Sequence, residues 1–175
     1  MLLKIALEND YGKTKKVVFL GDGAQWIWNI VDELFPDAVK ILDYYHLTDN
    51  IYNFAEYLYP NDEDKEKEWA DNAIQQIENN NIDNLINDLP DKGEIKEDQN
   101  EQSQDIPNLK RYLINNKDKI NYDEYRNQGF FIGSGAVESG HGKVIQQRLK
   151  QPGMHWESDN CQGVASLRTK YCSDQ

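Results

Sequence analysis

Two carboxylates, Asp22 and Glu138, stand in settings where a side chain could do chemistry. Asp22 lies between two glycines in VVFLGDGAQW, and Glu138 follows a glycine-rich turn in IGSGAVES. Carboxylates drawn from distant points of a chain onto one spot are what Mg²⁺ requires. It is a hard cation that takes oxygen ligands and keeps several waters. Two such ions about 4 Å apart stabilise both the attacking and the leaving oxygen of a phosphodiester displacement. The same residues also suit plainer roles, Asp22 in a turn and Glu138 as a capping-box partner. A second aspartate, Asp43, ends the next apolar run and precedes His46 in DYYH. Beyond Glu138 come Lys143, Arg148, Lys150 and His155. Beside a metal site they are natural phosphate contacts, and otherwise they form a solvated helix face.

The elements that position Asp22 and Asp43 lie within residues 17–46. The apolar run Val17-Val18-Phe19-Leu20 is too short for a helix and β-branched at its start, so it predicts a buried strand. The glycines around Asp22 let the backbone turn sharply and expose its carboxylate at the strand's C-terminal end. Residues 24–34 carry Trp28, Val31 and Leu34 at helical spacing, and Pro36 stops that helix. Val39-Lys40-Ile41-Leu42 then predicts a second short strand, ending in Asp43. Strand, helix and strand in so few residues make a parallel βαβ unit, and ligands bind at the carboxyl ends of such strands. Trp26 and Trp28 are expected in the core or a pocket wall, and Tyr44 and Tyr45 are expected to pack.

Later elements read as helices. Residues 47–59 have apolar side chains at helical spacing, with Thr48 or Asp49 as candidate cap and Pro60 as terminator. Residues 64–79, 82–89 and 107–116 come next as further helices, with Leu109, Tyr112 and Leu113 packing inward. Residues 91–104, DKGEIKEDQNEQSQ, contain one aliphatic side chain and predict a mobile linker. In the last third, Ser134 can cap a helix that runs to about Lys150 and stops at Pro152-Gly153. Gly140 and Gly142 inside it each cost up to about 1 kcal/mol relative to alanine. Residues 158–171 form a final helix.

A length of 175 residues suits one domain with a real core. No run of 18 apolar residues is present, and MLLKIALEND carries acidic residues too early for a secretion signal. Together these predict a soluble, cytoplasmic protein without a membrane partner. Cys161 and Cys172 have no His or Cys at metal-ligand spacing and read as reduced thiols. The net charge of −12 is concentrated rather than spread. Residues 61–105 hold 15 acidic and 4 basic side chains, whereas residues 126–175 hold 4 acidic and 6 basic. A locally basic surface can bind phosphate while an acidic segment sets the isoelectric point, so charge excludes no nucleic-acid partner.

Four blocks in order, GDGAQWIWN, LFPDAVKILDYYH, IGSGAVES and RLKQPGMHW, resemble the DDE transposases of bacterial insertion sequences, most closely the ISKra-type group. The resemblance spans residues 13 to about 171. It implies an RNase H-like catalytic core with an all-helical insertion before the last acidic residue. It implies that Asp22, in GDGA, is the second catalytic aspartate and that Glu138, in GSGxxES, is the catalytic glutamate. The two would hold Mg²⁺ or Mn²⁺ for DNA cleavage and strand transfer. Related Mutator-like transposases carry a Cys/Asp-x-x-His signature, matched by Asp43 and His46, which shapes the active site or contacts DNA. Lys143, Arg148, Lys150 and His155 would grip the DNA backbone. The implied partners are insertion-sequence ends and target DNA, with self-association to handle two ends together, at the nucleoid in the cytoplasm.

An RNase H-like core begins with a three-strand meander whose first strand carries the first catalytic aspartate. Nothing before residue 17 reads as that meander, and Asp10 comes after a helical pattern. The expectation is therefore the C-terminal part of a transposase. Its fold class is α/β, an incomplete RNase H-like core (a parallel βαβ unit plus C-terminal helices) with an all-α insertion. Residues 1–46 form part of the core, residues 47–125 the helical insertion, and residues 126–175 the part bearing the glutamate helix. With two ligands of three, the chain alone is expected to hold metal weakly and to be inactive in strand transfer. The alternative is a non-catalytic remnant that binds DNA or a full-length transposase. A nuclease unrelated to transposition is disfavoured by the four blocks.

Overall fold

A computed structural model describes residues 2–8, 10–14, 16–90 and 108–173. It divides into two compact units, residues 1–133 and residues 134–175. The predicted linker at residues 91–104 lies outside the described residues.

The first unit is a mixed α/β structure, mostly helical, with a small parallel sheet. Helix α1 (Leu2–Glu8) precedes β1 (Val18–Gly21), α2 (Gln25–Leu34) and β2 (Val39–Leu42). The strands pair in parallel, Val18 opposite Val39 through Gly21 opposite Leu42. Helix α2 buries Trp28 and Val31 on one face, as their spacing predicts, and leaves Trp26 65% exposed on the other. Only Trp28 joins the core, so the expectation that both indoles line a core or pocket fails for Trp26. Gly21 is required by that packing, because a Cβ there would lie 2.8 Å from the Trp28 ring.

Helices α3 (Tyr44–Leu58), α4 (Glu63–Glu78), α5 (Ile82–Asp88), α6 (Leu109–Asn116) and α7 (Tyr122–Asn127) complete this unit. They share one continuous core with the strands, running from Trp28, Ile41 and Leu42 through Ile51, Phe54 and Ile77 to Leu113 and Tyr122. Helix α3 starts three residues before the predicted position. Its cap is Asp43, whose carboxylate accepts from the backbone N–H of Tyr45 and His46. Thr48, a predicted cap, instead turns its hydroxyl back onto the Tyr45 carbonyl. Helix α7 has no counterpart among the sequence expectations.

Helix α7 finishes the outer side of β2. The amide N–H groups of Val39 and Asp43 bond to the carbonyls of Val17 and Gly21, so alternate residues of β2 face β1. Lys40 and Leu42 therefore turn their carbonyls away from β1. The Tyr122 hydroxyl donates to Leu42 at 3.1 Å, and the Tyr125 hydroxyl lies a long 3.4 Å from the carbonyls of both Lys40 and Asp118. Burial raises the pKa of both phenols and keeps them protonated as donors. Beyond β1 no further strand lies among the described residues.

The second unit holds α8 (Gly135–His141), a π-helical turn (Gly142–Gln146), α9 (Gln147–Leu149) and α10 (Ser158–Ser173). The helix predicted to run unbroken to Lys150 is thus interrupted by a wide turn that begins at Gly142, where helix propensity is lowest. The Arg168 guanidinium of α10 donates to the Lys143 carbonyl and ties α10 to that turn. No helix among the described residues is long and apolar enough to cross a membrane.

The sheet generates two expected outcomes. Tyr122→Phe keeps the ring but orphans a buried carbonyl, so it should cost about 1–3 kcal/mol, read as a lower urea midpoint at unchanged slope. Tyr125→Phe, with its long and divided bond, should cost less. The edge of β1 that pairs with no strand among the described residues should make the chain expressed alone self-associate or melt broadly. A sharp, reversible melt from a monomer would contradict that second expectation.

Candidate functional site

The carboxyl ends of the two strands bring Asp22 and Asp43 to one corner of the first unit, where Asp43 N–H bonds to the Gly21 carbonyl at 2.8 Å. The residue after each aspartate sets its role. After Asp43 the helix begins at once, and the carboxylate turns onto the first N–H groups of α3. Asp43 is only 2% exposed. After Asp22 the chain passes through Gly23, at a φ of +95° that side-chain-bearing residues rarely adopt. The start of α2 is thereby delayed, and Asp22 stays exposed. Its Oδ1 accepts from the Ala24 N–H at 2.9 Å, and its other oxygen has no partner among the described residues.

Helix α6 holds this loop from behind. The Tyr112 hydroxyl donates to the Asp22 carbonyl at 2.9 Å. Asn116, buried, accepts from the Trp28 indole N–H at 2.9 Å through its Oδ1. Its Nδ2 donates to the Tyr112 carbonyl at 3.0 Å and reaches the Gly23 carbonyl at 3.5 Å. A Cβ on Gly23 would lie 2.7 Å from the Tyr112 ring and 2.9 Å from Leu42, so the loop admits no side chain there. Burial, and then the charges of Asp22 and Asp43, push the Tyr112 phenol well above its usual range. Sequence reasoning assigns Tyr112 only inward packing and gives Asn116 no role. The available signal was the buried indole, whose N–H needs an acceptor.

The other predicted residues are spread over both units. His46 is exposed on the first turn of α3, its backbone N–H bonded to Asp43. Tyr44 stacks edge-on against Tyr122 at 5.3 Å, and its hydroxyl donates to Glu78. Tyr45 covers Gly133, where a Cβ would meet its ring at 2.7 Å, and Tyr44 N–H bonds to the Ile132 carbonyl. Ile132 and Gly133, at the end of the first unit, are thus fixed to the start of α3. Glu138 belongs to the second unit, on α8. Lys143 and Arg148 are exposed on the π turn and α9, Lys150 comes after α9, and His155 precedes α10, both exposed.

A hard divalent cation is compatible with Asp22, an exposed carboxylate at a strand end with one oxygen unpaired among the described residues. Asp43 fits poorly as a ligand, because its carboxylate is buried and serves two backbone N–H groups. No three His, Cys, Asp or Glu side chains group as a metal site among the described residues.

A family model described as an uncharacterised protein family, UPF0236, matches residues 4–173. No curated protein and no solved structure matches the chain significantly.

The contrast between the two aspartates can be measured. Asp43→Ala should lower stability by about 1–2 kcal/mol through loss of the cap, with Asp43→Asn much milder. Asp22→Ala, which removes one exposed turn bond, should shift the urea midpoint far less. Equal losses at the two positions would contradict this division of roles.

Proposed function

The chain belongs to the uncharacterised family UPF0236, and we propose that it carries part of the catalytic core of a DDE-type DNA transposase, with an RNase H-like arrangement of its strands. The observation that carries this reading is the state of Asp22. It is an exposed carboxylate at the carboxyl end of a parallel strand, on a glycine-flanked loop held through its backbone. The four sequence blocks that resemble such transposases support the same reading.

On this proposal Asp22 and Glu138 hold Mg²⁺ or Mn²⁺. When bound, such ions activate the attacking oxygen and neutralise charge on the leaving oxygen of the phosphodiester. The chain's own residues do the rest. Asp22 presents an exposed carboxylate, and Asp43 fixes the adjoining corner by capping α3. His46 stands exposed one turn into that helix. Lys143, Arg148, Lys150 and His155 bind the DNA backbone, where contacts fix register without reading sequence. The partners are element ends and target DNA, with a second copy of the protein, at the nucleoid in the cytoplasm. The first carboxylate of such a centre has no counterpart at a described strand end. It would enter on a strand laid along the edge of β1 that pairs with no described strand.

A second reading, a non-catalytic product that binds DNA or a complete transposase, is favoured by the lack of a three-carboxylate grouping among the described residues.

Mn²⁺-dependent nicking of supercoiled DNA tests the two. The catalytic reading expects nicking that falls at least about 100-fold in both Asp22→Ala and Glu138→Ala, the scale of losing a direct stabiliser of transition-state charge. Nicking that survives both substitutions overturns the metal assignment. Salt-dependent DNA binding without nicking favours the second reading.

A further inference from the structure

We infer that Tyr112 and Asn116 of α6 are positioning residues that hold the Asp22 carboxylate in place, so that the candidate site is built jointly by the strand end and a helix of the 47–125 block. The inference rests on the reading of Asp22 as a metal ligand and deepens it.

The loop Gly21-Asp22-Gly23 would by itself be weakly constrained, because each flanking glycine widens the backbone's choices. Its residues are instead held one at a time. The Trp28 ring lies against the Cα of Gly21. The Tyr112 hydroxyl bonds to the carbonyl of Asp22 itself. Asn116 reaches the carbonyl of Gly23, and Tyr112 and Leu42 fill the space a Cβ on Gly23 would need. The three buttresses are connected, since Asn116 bonds at once to the Trp28 indole and to the backbone of Tyr112. All of these contacts grip backbone or ring, and none of them takes a carboxylate oxygen of Asp22. A ligand fixed within about 0.5 Å by groups that do not themselves bind the ion is what a working site needs.

Tyr112 is suited to this as a donor. Its hydroxyl hydrogen goes to the Asp22 main-chain carbonyl at 2.9 Å, so it fixes the loop without taking a carboxylate oxygen. Asn116 offers an acceptor and two donor hydrogens on one planar group, which is why a single side chain can serve Trp28, Tyr112 and Gly23.

Tyr112→Phe separates positioning from packing, since the ring stays and only the hydroxyl leaves. Two measurements are made on the full chain by NMR. The first is the order parameters of the Asp22 and Gly23 amides without metal. The second is Mn²⁺ titration, monitored by paramagnetic broadening of the amides around Asp22. In the wild type the loop should be rigid, and broadening should saturate and vanish in Asp22→Ala. In Tyr112→Phe the loop order parameters should fall below about 0.6. The Mn²⁺ midpoint should rise about 10-fold or more, the usual cost of losing a group that orients a ligand. Wild-type order parameters in Tyr112→Phe overturn the inference, whatever the metal does. A rigid wild-type loop that Mn²⁺ never broadens overturns the metal reading and leaves the positioning intact. A looser loop with an unchanged Mn²⁺ midpoint shows that Tyr112 serves stability alone, and also overturns the inference.

Discussion

The hydrogen bond between the Trp28 indole and Asn116 is the constraint on which the first unit depends. Trp28 is 1% exposed, and a buried N–H left without an acceptor costs about 1–3 kcal/mol. Its acceptor lies 88 residues away on α6. Satisfying one indole therefore brings the end of α6 against the first strand–helix turn, and Tyr112, one helical turn earlier, arrives with it. Lys119 comes too, its ammonium 5.6 Å from the Trp28 ring centroid. The helical block and the βαβ unit thus meet at the residue that carries the candidate chemistry.

The same corner shows how one residue type takes opposite roles. Asp22 and Asp43 both come directly after strand residues paired in register. The carboxylate that meets a helix start is consumed by backbone N–H groups and buried, while the one preceding a left-handed glycine is left for solvent. The difference comes from the next residue along, not from the aspartates. It gives the Asp-x-x-His pattern a structural meaning in this chain, a helix cap and an exposed histidine on the turn it caps.

Much of this was legible in the sequence. Short β-branched runs ended by turn residues located the strands, with β2 matching its predicted span and β1 shifted by one residue. Apolar spacing found α2 through α6 and α10, and flanking glycines foretold the exposure of Asp22. Less legible were features made by single hydrogen bonds to backbone. The cap of α3 was sought inside the helix, because Asp43 reads equally well as a strand end. Tyr122 and Tyr125 guard the outer carbonyls of β2 from a helix too short for a strong periodic signal. The joint role of Tyr112 and Asn116 depends on pairings across about 90 residues, which leave no local pattern. The π turn starts at a glycine that spacing alone assigns to an ordinary helix.

That wide turn changes the geometry of the chain beyond it. In a regular α-helix, residues five apart point about 140° away from one another around the axis. In a π turn the bond spans five residues, as from Gln147 N–H to the Gly142 carbonyl, and positions five apart come nearly into line. Lys143 and Arg148 are spaced by five and straddle this turn. Their backbone positions, which a uniform helix would set well apart around the axis, are brought closer in azimuth by the turn. The extra residue thus acts as a phase correction between the backbone before the turn and the backbone after it.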